Sequence, residues 1–72
     1  MYDHIDEINR IKDMDEKQIV LKVRNFKRYP FMTGEQFNLI KQAIGDRLQT
    51  HGYELTSQCC GRYVATKIQT NV

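Results

Sequence analysis

No stretch of the 72-residue chain approaches the ~18 consecutive apolar residues of a membrane span, and no basic segment followed by an apolar run opens it. Both absences give the expectation of a soluble, cytoplasmic protein that does not engage a membrane. Cysteine is confined to the neighbours Cys59 and Cys60. Adjacent residues make a poor disulfide framework, because a bridge normally joins two separate backbone segments, so reduced thiols are expected. The four glycines, Gly34, Gly45, Gly52 and Gly61, are scattered. That excludes a glycine-rich loop wrapped around phosphate ahead of a helix.

Groups for catalysis are equally scarce. His4 and His51 lie far apart, and no serine or carboxylate is marked as a triad partner for either. Cys60 beside His51 is the one thiol and base pairing available, and no motif surrounds it. A zinc site from Cys59 and Cys60 is disfavoured because ligand pairs usually stand two to four residues apart. No enzyme activity, metal or cofactor is expected.

What is present is a composition of 40% hydrophobic and 28% charged residues, ordinary for a globular chain. A chain of this length buries about 60% of its unfolded surface, enough for one modest core, so residues 1–72 are expected to form one small α+β domain. The net charge of +2 conceals a strong asymmetry. Residues 1–16 carry −4, residues 17–34 carry five bases and no acid, and the remainder carries +1.

Ile5, Ile8, Ile11 and Met14 recur every three residues, which predicts a short amphipathic helix capped by Asp3, with Asp6 and Glu7 suited to the positive end of its dipole. From Gln18 to Arg24 the chain alternates, Ile19, Leu21 and Val23 on one side and Val20, Lys22 and Arg24 on the other, and its β-branched content also favours the half-buried strand this predicts. Thr33 with Gln36 fits a capping box and Met32 with Phe37 a hydrophobic staple, so a long helix is expected over residues 34–51 and should end at Gly52. Gly45 inside it suggests close packing of another element. Tyr53–Gln58 and Arg62–Gln69 read as two strands of a hairpin turning near Gly61.

The predicted fold class is therefore α+β, with two helices packed on one face of a three-stranded, mainly antiparallel sheet in the order α-β-α-β-β. The expected core is Ile8, Ile11, Ile19, Leu21, Val23, Phe37, Ile40, Ile44, Leu48, Leu55, Val64 and Ile68.

The most distinctive segment is NFKRYPFM, residues 25–32, where Phe26, Tyr29 and Phe31 interleave with Lys27 and Arg28 and Pro30 stiffens the backbone. Cations meet phosphate, and rings stack on unpaired bases, so the pattern suits RNA or single strands. The other reading folds Phe26 and Phe31 onto the core as lids and leaves Tyr29 exposed. A second basic patch is expected on the open sheet face, where Lys22, Arg24, Tyr63 and Lys67 share a parity, extended by Arg62 at the hairpin turn. The element order and the basic loop before the long helix, with KVRNFKR and GRYVATKI, make the chain resemble the C-terminal domain of bacterial translation initiation factor three over about residues 5 to 69. That family's opening strand is missing here, and the resemblance implies a fold analogy.

Two functions follow from these residues. The first is a non-enzymatic nucleic-acid-binding protein using the basic, aromatic loop and the sheet face. The alternative is a compact protein–protein interaction module, such as an inhibitor or accessory factor of a phage or mobile element, docking on a host protein through the same aromatic and arginine residues. A homodimer through the free edge of the C-terminal hairpin is a variant of the second.

Overall fold

Asp3 accepts hydrogen bonds from the amides of Ile5 and Asp6 and so starts α1, His4–Lys12. The computed structural model describes residues 3–58 and 61–68; Cys59, Cys60 and Gln69 lie outside the described residues. Ile11 is fully buried, while Ile5, the first residue of the predicted stripe, is exposed.

The segment expected to be a strand is a helix, α2, Glu16–Arg24. Asp15 and Gln18 form a reciprocal capping box: the Asp15 carboxylate accepts from the Gln18 amide at 2.8 Å and the Gln18 side chain accepts from the Asp15 amide at 3.0 Å. Two of the orphan donors at the helix start are thereby satisfied, and Lys22 and Arg24 fall in the last turn, where cations suit the dipole. Ile19 and Val23 are buried one helical turn apart. Leu21, expected in the core, is 57% exposed, because on a helix the residue midway between the buried Ile19 and Val23 lies on the opposite side.

The long helix, α3, spans Gly34–Thr50 and carries the predicted Thr33–Gln36 capping box. Ile40, Ile44 and Leu48 form its buried stripe, and Gly52, with φ +82°, closes the end with its amide donating to the Gln49 carbonyl. Gly45 meets no neighbouring element: a methyl group there would find nothing within 4 Å, contrary to the expectation of close packing.

Two strands follow among the described residues, β1, Tyr53–Ser57, and β2, Tyr63–Lys67, paired antiparallel with Leu55 opposite Ala65. Among the described residues the sheet has two strands, so the architecture is α+β with three helices and a hairpin, in the order α-α-α-β-β. The element order behind the resemblance to the initiation-factor domain is accordingly absent.

The helices cover one face of the hairpin, α3 over β1 and α2 over β2, with α1 packed on α3. Tyr53, Leu55, Tyr63 and Ala65 point into this layer. Val64 and Ile68, expected in the core, have the opposite parity and lie on the outer face with Glu54, Thr56 and Thr66, where the Thr56 and Thr66 hydroxyls stand 3.0 Å apart. The core is completed by Phe26 and Met32, each 6% exposed.

Candidate nucleic-acid interface

Both ends of the loop between α2 and α3 are held by the core. Phe26 stacks on Phe37 with ring centroids 5.0 Å apart and tilts against Tyr63 at 5.2 Å. Met32 is buried, its amide donates to the Tyr29 carbonyl at 3.0 Å, and the Tyr29 amide approaches its sulfur at 3.5 Å. Thr33 then caps α3. Between these anchors the five residues Lys27–Phe31 project outward, and all are exposed.

Within that tip the rings of Tyr29 and Phe31 stack nearly parallel, 5.2 Å apart with 8° between their planes. They remain 38% and 57% exposed. The Lys27 ammonium lies 5.4 Å from the Tyr29 ring centroid, where the negative face of the ring attracts it. The tip is thus an assembled stack, with Phe31 the more exposed of its two rings.

Beside the stack runs a groove of about 680 Å³ between the end of α2 and the hairpin turn, lined by Arg24, Asn25, Phe26, Lys27, Tyr29, Gly61 and Arg62. Three of these residues are cationic and none is acidic. The helical form of residues 16–24 is what carries Arg24 here, and the left-handed Gly61, with φ +74°, turns the hairpin so that Arg62 stands opposite. Arg28 is exposed on the same tip, its guanidinium 4.0 Å from where a side chain on Gly34 would begin.

Other expected site residues are placed differently. Lys22 is a partly buried ion-pair partner of Glu7 and joins α2 to α1. Phe26 belongs to the core, as the lid reading had it, while Phe31 does not. Tyr63 faces the helices among Phe26, Phe37 and the Lys41 ammonium, 5.4 Å from its ring centroid. Lys67 shares that helix-facing parity and is exposed at the far end of the hairpin, opposite Tyr53. The expected basic sheet face is therefore not formed: Lys22 and Arg24 are helical, and the described outer face holds Glu54, Thr56, Val64, Thr66 and Ile68. Asn25 and Gly61 were not foreseen in the groove. Their sequence signals were positional, Asn25 opening the basic, aromatic segment and Gly61 marking the hairpin turn.

Both histidines serve helix packing. The Gln36 side-chain amide lies 3.3 Å from His4 Nδ1, linking α1 to α3. His51 Nε2 lies 3.3 Å from the Met14 carbonyl oxygen, which also accepts from Arg47 Nε at 2.7 Å. At the other end of α2 from the groove, the Tyr53 hydroxyl donates to Glu16 at 2.6 Å. That hydrogen bond, then burial and the nearby carboxylate charge, raise the phenol above its ordinary value of 10.0. Among the described residues no cluster of three or more His, Cys, Asp or Glu side chains suits a metal, and no helix is long and apolar enough to cross a membrane.

Fold and loop together define a small α+β domain with a cationic groove beside an exposed aromatic stack. The chain matches no protein-family model, no curated protein and no solved structure.

Proposed function

We propose that this is a non-enzymatic, cytoplasmic protein that binds single-stranded nucleic acid at the α2–α3 loop. The observation that carries the reading is the exposed Tyr29–Phe31 stack set beside a groove whose charged residues, Arg24, Lys27 and Arg62, are all basic. In this reading phosphates follow the groove and an unpaired base stacks against the exposed aromatic tip. Single strands suit the site because a base in a duplex has no open face to offer. The buried anchors Phe26 and Met32 support it further, since a tip held before binding loses little conformational entropy on binding.

A salt titration of binding to fluorescent oligothymidylate, read by anisotropy, tests the proposal. Neutralising three phosphates on a single strand gives a slope of about −2 in log K against log salt. Replacing Lys27 and Arg62 together by alanine should flatten that slope toward about −0.7. Absence of binding at low salt, or a slope unchanged by the double substitution, rejects the reading.

A further inference from the structure

The hairpin has two open edges among the described residues, and its register determines what β2 offers. The Gln58 amide donates to the Arg62 carbonyl at 2.7 Å and the Ile68 amide to the Gly52 carbonyl at 2.9 Å. Those bonds make the even-numbered residues, Val64 with Thr56 and Thr66 with Glu54, the hydrogen-bonded pairs. The N–H and C=O groups of Tyr63, Ala65 and Lys67 therefore point away from β1, toward a position that no described strand occupies. Such a row is a template for another strand.

The helix above this edge shapes what it accepts. α2 lies over β2, and its outer flank presents Lys17, Leu21 and Arg24 at helical spacing. Together with Glu16, Val20 and Tyr53 they line a groove of about 540 Å³. A strand added to β2 would turn alternate side chains toward this flank and the others toward the outer face of Val64 and Ile68. The flank is basic: its one acid, Glu16, already accepts from the Tyr53 hydroxyl, while Lys17, Arg24 and the neighbouring Lys67 are cations.

We propose that the free edge of β2 binds an extended acidic peptide of a partner protein as a third strand. Its acidic residues face Lys17 and Arg24, and its aliphatic residues continue the outer face from Val64. Charge selects this occupant over a second copy of the chain, because two-fold pairing of β2 with itself brings Lys17 and Arg24 of one flank against the same cations of the other. Nucleic acid offers phosphates to the cations but no alternating amide ladder to the strand. The inference is independent of the nucleic-acid reading, with which it shares only Arg24.

The test uses the full chain and a synthetic peptide of alternating glutamate and valine, followed by residue-resolved amide exchange. At about 1 mM peptide, the exchange of Tyr63, Ala65 and Lys67 should slow while the paired amides of Val64 and Thr66 change little. N-methylation of alternate peptide amides, chosen in each of the two phases in turn, should abolish the effect in one phase. Lys17→Glu, on the exposed flank, should weaken binding by about two- to fivefold and leave oligothymidylate affinity unaffected. The proposal is overturned if none of the three amides slows, or if both N-methylated peptides protect them as well as the parent does. It is equally overturned if they are already protected in the free protein in step with dimer formation, or if oligothymidylate protects them to the same extent.

Discussion

Phe26 and Phe31 stand five positions apart in one loop, and replacing each by alanine should give opposite results. Phe26 is 6% exposed, stacked on Phe37 and tilted against Tyr63, whereas Phe31 is 57% exposed and stacked on Tyr29. Truncating a buried phenylalanine costs about 3–5 kcal/mol from lost transfer energy and the cavity left behind. For a chain of this size, total stability is about 4–11 kcal/mol at the usual per-residue value. Phe26→Ala therefore removes about a quarter of it or more. With a urea dependence of about 1 kcal/mol per molar, the unfolding midpoint should fall by about 3 M or more, or the variant should be unfolded at the outset. Phe26→Leu keeps most of the volume and should lose less than about 2 kcal/mol, which preserves a measurable transition. Phe31→Ala should cost under about 1 kcal/mol of stability. It should weaken oligothymidylate binding by about 1–3 kcal/mol, the contribution of one stacked base. A Phe26→Ala variant that unfolds within about 1 M urea of the parent, or a Phe31→Ala variant that loses stability and keeps its binding, refutes the division of the loop into anchor and tip.

Further outcomes concern pH and the glycines. Because the Tyr53 phenol is raised above 10.0 by its hydrogen bond to Glu16, the folded state favours the protonated ring. This contribution is complete below pH 10.0 and is lost as pH rises through the folded value, so the alkaline fall in urea midpoint should be shallower in Tyr53→Phe; identical alkaline limbs would count against the hydrogen bond. Gly45→Ala should raise stability by about 0.5–1 kcal/mol, since the site is helical and a methyl group meets nothing within 4 Å. Gly52→Ala, at φ +82°, should lower it by about 1–2 kcal/mol. Urea melts of the pair check both signs.

The parts of the fold that were legible in sequence carry redundant local signals. The start of α3 has a capping box and a hydrophobic residue on either side, its end has a glycine in the left-handed region, and both features are present. The hairpin was legible for the same reason, through two β-rich runs around Gly61. Residues 16–24 were not, because Ile19 and Val23 satisfy a two-residue and a 3.6-residue period alike. Val20, Leu21 and Lys22 distinguish the two, and the alternation makes Leu21 look internal and Val20 external. The local signal for the helix is the Asp15–Gln18 pair at its start, which forms a reciprocal capping box, and the burial of Ile19 and Val23 on one face supplies the rest. One misread element then displaced the site: Arg24 was assigned to a sheet face with Lys22, although on a helix the two point in different directions, one to the groove and one to Glu7. The basic, aromatic composition of the loop was visible at once. Which of its rings are anchors was not, because that depends on Phe37 and Tyr63, supplied from elsewhere in the chain.

The loop that joins α2 to α3 separates inheritance of the fold from inheritance of specificity. Phe26 and Met32 fasten its two ends, and Lys27–Phe31 contribute no residue to the buried core. Substitutions among these five positions are therefore nearly neutral for folding and visible only to the ligand. Stability does not restrain the tip from drifting, so the same scaffold can be retargeted in small steps without passing through an unfolded intermediate. Random substitution across 27–31 is the natural library from which to select new binding preferences, with positions 26 and 32 held constant.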